Sequence, residues 1–323
     1  MAHAIRIHKS GGPEVLQWDE VAVGDPAPGE ARVRHHAVGL NYIDVYHRQG
    51  LYALAFPSGI GLEAAGEVEA VGSAVTGVRV GDRVAYASPP IGAYCDIRNM
   101  PADRLVALPR AISFEQGAAM MLQGMTVQYL IKRTYAVKPG DTVLLHAAAG
   151  GVGLIACQWL NAIGATVIGT AGSDRKLEIA KAHGCHHVIN YNRENFVDRV
   201  KEITAGAGVP VVFDSVGKDT FRGSLECLRP FGTLVVFGNA SGPVPPIDLA
   251  AACRGTLYLT RPSLMPYTAR REDLEATAID LFEAVQSGRV KIDINQRYAL
   301  RDAAQAHRDL EARRTTGSTI LLP

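Results

Sequence analysis

The stretch TVLLHAAAGGVGLIACQWL, residues 142–160, decides the fold. An apolar strand runs into Ala148, Gly150 and Gly153, and a helix begins at once. Small residues permit a tight turn and close backbone approach, and the helix N-terminus offers free N–H groups and a positive dipole end. The pyrophosphate of a dinucleotide needs this geometry. Ala148 replaces the first glycine of the usual GxGxxG, and a purely structural glycine-rich turn is the alternative.

Apolar strands alternate with helical segments on both sides of this turn, after Lys138–Asp141. Strands such as TVLLHAA and TLVVFG are nearly apolar throughout, which is typical of a parallel sheet covered by helices on both faces. The pattern predicts strands over 142–148, 165–171, 187–191, 210–216, 232–238 and 256–260. It predicts helices over 151–163, 174–183, 195–204, 219–228 and 248–254. The fold class is therefore α/β, with a doubly wound, six-stranded parallel Rossmann sheet.

The rest of the chain shows a different sequence pattern. Residues 1–124 contain short strands broken by glycine and proline, with one helical entry near Ser113–Gln123, and predict a β-rich unit. The tail predicts helices over 272–286 and 301–312 and a last strand in STILLP. Because the tail is too short to fold alone, we expect it to return to the first unit. The predicted domains are 1–124, 125–260 and 261–323, with the first and last parts forming one discontinuous domain.

Composition excludes several classes of protein. The 33 basic and 32 acidic residues leave a net charge of +1, which argues against a dedicated nucleic-acid binder or a polybasic membrane-surface protein. Neither a signal-peptide core nor a run of about 18 apolar residues occurs. The five cysteines are scattered and never spaced as CxxC, which favours a reducing compartment. We expect a cytoplasmic protein of two domains.

The end of the second predicted strand bears on the choice of cofactor. A carboxylate there binds the ribose 2′-hydroxyl of NAD, whereas basic groups suit the 2′-phosphate of NADP. The strand ends at Ala171, and Ser173, Arg175 and Lys176 follow, so the sequence favours NADPH. Two alternatives stay open: the two cations form a solvated helix turn, or Asp174 faces the ribose and NADH is preferred.

These motifs resemble the quinone oxidoreductase/zeta-crystallin family of the medium-chain dehydrogenase/reductase superfamily. The resemblance covers the whole chain and includes GLNYIDVYHRQGLY, GLEAAGEVEAVG, HAAAGGVGLIACQW, FDSVG, FGNASG and TRPSL. Asn161 departs from the signature, which normally has a basic residue or serine there. The resemblance implies a GroES-like catalytic domain, a Rossmann domain and an active cleft between them. It also implies a homodimer joined at the last Rossmann strand, 256–260.

Zinc enzymes of this superfamily carry a cysteine and a histidine in the first domain as metal ligands. The matching positions are Asn41 and Leu62, and the third ligand would fall near Gln123. None of these supplies a thiolate or an imidazole, and the cysteine-rich lobe of the structural zinc is missing, so no metal is expected. Without a Lewis acid, reduction of an electron-poor acceptor is favoured over alcohol oxidation.

The resemblance also assigns site residues. Asn41, Tyr46 and Tyr52 would be catalytic, donating hydrogen bonds and packing against a flat acceptor. Packing is the alternative for the two tyrosines, and a local backbone hydrogen bond is the alternative for Asp44. The cofactor contacts would be Asn41, Asp44, Tyr46, Tyr129, Gly150, Gly151, Val152, Gly172, Ser173, Arg175, Lys176, Tyr191, Ser215, Phe237, Gly238, Asn239, Ser263 and Arg313. A surface arginine on a helix is the alternative for Arg313. His183, Cys185, His186 and His187 resemble a metal cluster, but we interpret them as accidental neighbours.

The predicted function is a zinc-independent NADPH:quinone oxidoreductase acting on small quinones. A 2-alkenal or enone reductase that uses NADPH is the first alternative; it must protonate carbon, so Tyr46 or Tyr52 would then be an essential acid. A zeta-crystallin-like structural or RNA-binding protein is the second, and the near-neutral charge argues against RNA as the main partner.

Overall fold

The computed structural model describes residues 2–253 and 255–323. The chain divides into two compact units. The first comprises Met1–Met125, Tyr267–Gln286 and Ile292–Pro323, and the second comprises Thr126–Pro266 and Ser287–Lys291. The breaks thus follow Met125 and Pro266, whereas the predicted domain boundaries follow residues 124 and 260. The catalytic and cofactor-binding roles of the domains stay predictions.

Within residues 2–253 and 255–323, sixteen strands form three sheets. In chain order they are β1 (Ala2–Ile7), β2 (Gln17–Val21), β3 (Glu30–Leu40), β4 (Ser58–Gly59), β5 (Glu63–Val71), β6 (Arg83–Ala87), β7 (Ile97–Pro101), β8 (Val106–Ala107), β9 (Thr142–Leu145), β10 (Thr166–Ala171), β11 (His187–Asn190), β12 (Val209–Asp214), β13 (Leu228–Val236), β14 (Tyr258–Thr260), β15 (Ile294–Ala299) and β16 (Ser318–Leu322).

Ten α-helices accompany these strands in the described ranges. They are α1 (Tyr42–Gln49), α2 (Phe114–Tyr129), α3 (Gly151–Ile163), α4 (Asp174–Ala182), α5 (Phe196–Ile203), α6 (Phe221–Glu226), α7 (Leu249–Ala252), α8 (Leu264–Tyr267), α9 (Arg271–Gln286) and α10 (Ala303–Glu311). Among the described residues, no helix has both the length and the apolar character needed to cross a bilayer.

The second unit contains the predicted Rossmann sheet. Its order is β11-β10-β9-β12-β13-β14, and every neighbouring pair is parallel. All six residues of β12 are buried, as expected for a strand covered by helices on both faces. The order reverses between β9 and β12, and ligands bind beyond the carboxyl ends of strands at such a point. The predicted fold class is confirmed.

The first unit is built on a seven-stranded sheet of order β15-β16-β3-β5-β6-β8, with β7 also paired to β3. A second sheet has the order β2-β1-β4. The tail returns to this unit as predicted, because β16 pairs antiparallel with β3. The prediction of a single helical entry near Ser113–Gln123 was wrong, since α1 forms earlier in the same unit.

Several predicted bounds were also wrong. Strand β13 begins at Leu228 rather than Gly232 and contains Phe231 at φ 64°. Strand β14 begins at Tyr258, because Thr256 adopts φ 60° and leaves the extended region. The helix predicted over 248–254 covers Leu249–Ala252, and residue 254 lies outside the described residues.

Candidate active site

The glycine-rich turn lies where the sequence places it, between β9 and α3. Ala147 adopts φ 54°, a left-handed conformation that costs energy in a non-glycine residue. Gly150 is the N-cap of α3, so the N–H groups that follow it have no intrahelical acceptor. A Cβ on Gly153 would lie 2.6 Å from the carbonyl carbon and oxygen of Ala148. The backbone is therefore packed as closely as a pyrophosphate-binding turn requires.

A second group of predicted residues gathers beyond β10. The Ser173 hydroxyl caps α4 by accepting a hydrogen bond from the Lys176 backbone N–H at 3.4 Å. A Cβ on Gly172 would meet the Tyr191 Oη at 2.6 Å, so these two residues are in close contact. Arg175 is exposed on the first turn of α4. Five predicted adenosine-end residues therefore lie at one edge of the sheet.

Asp174, the residue that would favour NADH, has partners within the protein. Its Oδ1 accepts a hydrogen bond from Asn190 Nδ2 at 2.7 Å, and its Oδ2 pairs with Arg193 Nη1 at 2.6 Å. The carboxylate is thus neutralised and held toward β11. A carboxylate held in this way is not directed at a ribose hydroxyl, which supports the NADPH prediction over the NADH alternative.

The turns after β12 and β13 pack on each other. A Cβ on Gly238 would lie 2.5 Å from the Ser215 carbonyl oxygen, and the Phe237 N–H donates to the Asp214 carbonyl at 2.8 Å. With its amide oxygen turned toward Arg261, Asn239 accepts a hydrogen bond from Nη2 at 2.8 Å. These turns lie at the carboxyl ends of parallel strands. Tyr129 is buried in α2, and Ser263 follows β14.

A buried polar network beneath these turns was missed by sequence reasoning. Asp214 accepts hydrogen bonds from the Val216 N–H at 2.8 Å and the Ser224 hydroxyl at 3.1 Å. Ser224 Oγ lies 3.0 Å from His146 Nε2, and His146 Nδ1 lies 2.9 Å from Thr170 Oγ1. Burial lowers the pKa of His146, opposed by the charge of Asp214. The neutral imidazole therefore links three strands of the sheet.

In the first unit, the three predicted catalytic residues lie on α1 or beside its ends. The backbone N–H of Asn41 donates to Asp44 Oδ2 at 2.9 Å and fixes the start of the helix. Gly50 ends it at φ 82°. The rings of Tyr46 and Tyr52 lie 5.5 Å apart, edge to face. The local bond that was the alternative for Asp44 is thus present, and the cofactor contacts of these residues stay predictions.

Asp44 is fully buried, and its Oδ1 has no hydrogen-bond partner among the described residues. Burial raises the pKa of Asp44 to about 7, although hydrogen bonds from the Asn41 backbone and the Tyr94 hydroxyl oppose the shift. A proton is therefore held close to the predicted site near neutral pH.

Asp44 is joined to a chain of buried polar groups. The Tyr94 hydroxyl donates to Asp44 Oδ2 at 3.0 Å, and His307 Nε2 lies 3.1 Å from that hydroxyl. Arg48 Nη1 lies 3.0 Å from His307 Nδ1, and Arg48 forms a bidentate pair with Glu311 at 2.9 Å. Because arginine only donates, Nδ1 accepts and the proton is on Nε2. His307 is therefore neutral.

The buried polar groups around His307 predict that the stability of the fold depends on pH. Burial, reinforced by Arg48, lowers the pKa of His307 from 6.5 to about 3. Because the folded pKa lies below the unfolded value, the stabilisation is complete above pH 6.5 and is lost as the pH falls toward 3. We expect the advantage of the wild type over His307→Gln in unfolding free energy to shrink by ~2 kcal/mol between pH 6.5 and pH 5. Urea unfolding measures it, and a constant difference would contradict the assignment.

The side chains at the three positions that the resemblance matches to zinc ligands are Asn41, Leu62 and Gln123. Gln123 Nε2 donates to Asn41 Oδ1 at 3.2 Å, and Leu62 has no ligand atom. The oxygens of neighbouring Glu63 accept hydrogen bonds from Asn41 and the Leu122 N–H. The described residues contain no group of three or more His, Cys, Asp or Glu side chains placed to hold a metal. Amides and an aliphatic chain do not fit a zinc ion.

Arg313, the remaining predicted contact, belongs to the first unit. It follows α10 with φ 58°, and its backbone N–H donates to the Leu310 carbonyl at 3.0 Å. The alternative of a surface arginine on a helix is inexact, because Arg313 lies on the turn after α10. Its contact with the cofactor stays a prediction.

Comparison with known proteins shows which family the chain belongs to. An alcohol dehydrogenase GroES-like domain matches residues 27–110, and the family described as zinc-binding dehydrogenase matches residues 151–284. Quinone oxidoreductase of Pseudomonas aeruginosa is 53% identical over 325 residues, with 100% of both chains covered. The crystal structure of Escherichia coli quinone oxidoreductase complexed with NADPH gives a TM-score of 0.98 at 50% identity, with 100% of both chains covered.

A relative that is not named quinone oxidoreductase is also similar to this chain. 2-Haloacrylate reductase of a Burkholderia species is 46% identical over 331 residues, with 100% of this chain and 99% of the relative covered. Full-length identity to three bacterial quinone oxidoreductases is higher, at 50–53%. The chain therefore belongs to the quinone oxidoreductase family of the medium-chain dehydrogenase/reductase superfamily, as its motifs predict.

Proposed function

We propose that the protein is a zinc-independent NADPH:quinone oxidoreductase. The observation that carries the proposal is the close-packed turn at Gly150–Gly153, followed one strand later by the basic start of α4. The N–H groups after Gly150 would bind the pyrophosphate, and Arg175 and Lys176 would bind the 2′-phosphate. Similarity to quinone oxidoreductases over the full chain supports the substrate class.

When bound, NADPH supplies a hydride, and with one proton from solvent the quinone becomes a hydroquinone. The protein contributes position and electrostatics. The rings of Tyr46 and Tyr52 would pack against the flat acceptor, and the Asn41 amide would donate a hydrogen bond to the quinone oxygen as charge develops there. We therefore assign these three residues to the acceptor side of the reaction.

Turnover by the purified protein tests the proposal. NADPH oxidation is measured with 1,4-benzoquinone, a naphthoquinone, a 2-alkenal and a simple aldehyde. Fast turnover with the quinones alone supports the proposal, and turnover with the alkenal alone overturns it in favour of an enone reductase. In the second case Tyr46→Phe or Tyr52→Phe would abolish turnover, whereas both changes should be mild for quinone reduction.

The choice of cofactor gives a separate prediction. Replacing Arg175 and Lys176 with alanine should raise KM for NADPH at least tenfold, because each charged hydrogen bond to phosphate contributes ~1.5–3 kcal/mol. KM for NADH should stay nearly unchanged. Lys181→Ala, at the opposite end of α4, is the matched control. An equal change in both KM values would show that the pair acts on the fold rather than on the phosphate.

We also propose a homodimer joined at the outer edge of the parallel sheet. Strand β14 ends the strand order, and Tyr258 on it is 59% exposed. Phe231, whose N–H donates to the Thr256 carbonyl, is 68% exposed. An apolar sheet edge needs a cover, and a second copy supplies one.

A cytoplasmic location is proposed from the cysteines. All five are free thiols, and the four at Cys95, Cys157, Cys185 and Cys227 are buried. Buried unpaired thiols in a chain of this length fit a reducing compartment.

A further inference from the structure

Four buried polar side chains of the first unit form a continuous row, called here the amide chain: Glu63, Asn41, Gln123 and Ser318. Asn41 Nδ2 donates to Glu63 Oε2 at 2.6 Å, and Gln123 Nε2 donates to Asn41 Oδ1 at 3.2 Å. Ser318 Oγ donates to Gln123 Oε1 at 2.8 Å. All four are at most 7% exposed, so water does not compete for these bonds.

An ionised Glu63 fixes the direction of the amide chain at one end. An ionised carboxylate only accepts hydrogen bonds, and Glu63 Oε1 already accepts from the Leu122 backbone N–H at 2.8 Å. Oε2 therefore accepts from the Asn41 amide nitrogen, which turns the Asn41 oxygen toward Gln123. Oε2 also packs against the backbone of Gly39, since a Cβ there would overlap both Oε2 and the Ala118 carbonyl.

At the other end of the amide chain, the hydrogen bonds of Ser318 can point in either direction. Ser318 Oγ lies 2.8 Å from Gln123 Oε1 and 2.9 Å from the Ala119 carbonyl, and one hydroxyl proton serves only one of them. If Glu63 Oε2 carries a proton and donates it to Asn41 Oδ1, both amides can reverse. Gln123 then donates to the serine oxygen, and the serine donates to Ala119. Every polar group is then still satisfied, so the amide chain has two complete arrangements of opposite direction.

We propose that Glu63 is a positioning residue that sets the direction of the amide chain and so determines whether nitrogen or oxygen of the Asn41 amide lies toward each neighbour. The proposal rests on the proposed function, in which Asn41 donates to the quinone oxygen. Reversal exchanges the nitrogen and the oxygen of the Asn41 amide. The quinone oxygen would then face the amide oxygen, which only accepts hydrogen bonds, instead of the amide nitrogen, which donates. Such a mismatch leaves a developing charge unstabilised.

Electrostatics supports the same role. Burial raises the pKa of Glu63 to about 8, opposed by the hydrogen bonds from Asn41 and the Leu122 backbone and reinforced by Asp44. The other titratable groups that face Glu63 are Tyr86 and Tyr94, and neither is a cation. A protonated Oε2 would donate to Asn41 Oδ1, so protonation produces the reversed arrangement.

The test replaces Glu63 with glutamine. Its oxygen can accept from the Leu122 N–H, and its nitrogen then donates to Asn41 Oδ1, which locks the reversed arrangement. Neutron diffraction at pH 9 locates the amide deuterons. We expect the Asn41 deuterons to face residue 63 in the wild type and Gln123 in Glu63→Gln. The same orientation in both proteins would overturn the proposal.

Kinetics gives a second readout. In Glu63→Gln, kcat/KM for the quinone should differ at least tenfold from the wild type at pH 9 and follow the low-pH limb of the wild-type profile at every pH. A retained wild-type pH profile would count against the role of Glu63.

A double variant separates the effect of the direction of the amide chain from the effect of losing the Glu63 carboxylate. Exchanging the two residues, Glu63→Gln with Gln123→Glu, keeps the same groups and again satisfies every hydrogen bond, but in the reversed direction. We expect it to resemble Glu63→Gln, and wild-type kinetics would overturn the proposal. Asn41→Ala is measured in parallel. If it retains wild-type turnover, the catalytic role of Asn41 fails, whereas the diffraction result still decides the direction of the chain.

Discussion

Replacing Asp214 with alanine should cost the folded state ~3–5 kcal/mol of unfolding free energy, because several buried donors lose their acceptor together. Asp214 is fully buried and accepts hydrogen bonds from the Val216 N–H at 2.8 Å and the Gly217 N–H at 3.0 Å. The hydroxyls of Thr220 and Ser224 donate to it at 2.7 Å and 3.1 Å. Chemical denaturation measures the loss.

Asp214→Asn is the matched control. The asparagine oxygen can still accept from the two backbone N–H groups, and its nitrogen can donate to Ser224 if the hydrogens of His146 and Thr170 reverse. We expect this variant to lose ~1 kcal/mol. It should retain more NADPH affinity than Asp214→Ala, since the turn at Ser215 keeps its shape. Equal stability of both variants and the wild type would contradict the role given to the network.

Replacing Gly153 with alanine should also have a large effect. The new Cβ would lie 2.6 Å from the carbonyl group of Ala148 and against the Ala147 oxygen, and neither backbone atom can move without shifting the turn. Overpacking of this kind costs ~1–3 kcal/mol. Because the displaced turn is the predicted pyrophosphate site, the NADPH dissociation constant should rise at least tenfold. Thermal unfolding and fluorescence titration measure the two effects.

Gly150 provides the comparison for Gly153. It belongs to the same turn, but a Cβ there would meet only the Ala147 oxygen at 3.3 Å. We expect Gly150→Ala to change the unfolding free energy by less than ~1 kcal/mol. A loss as large as that of Gly153→Ala would mean that glycine in this turn is needed for backbone freedom rather than for space.

The parallel sheet was predictable because its signals are local. Helix α3 lies over Gly151–Ile163 as predicted, since Gly150 precedes it and Gly164 ends it at φ 91°. Bounds were missed where a residue adopts an unusual conformation, as Phe231 does within β13. Such positive φ values in non-glycine residues have no signal in periodicity.

The surroundings of the candidate site were less predictable. Helix α1 was missed although its ends have recognisable signals, the glycine at position 50 and the asparagine at position 41. The partners of Asn41 lie far away along the chain, at Glu63 and Gln123, and join it only because β3, β5 and α2 meet in one unit. No spacing rule connects residues that tertiary structure alone brings together.

The position of β16 has a consequence for the order in which the protein forms during synthesis. The sheet of the second unit is complete once Thr260 has left the ribosome. The first unit must wait for Ser318–Leu322, because β16 lies between β15 and β3 and pairs Thr319 with Leu40. Until then one edge of β3 is unpaired, which is where a nascent chain is open to mispairing or chaperone binding. The residues made first thus complete their sheet last.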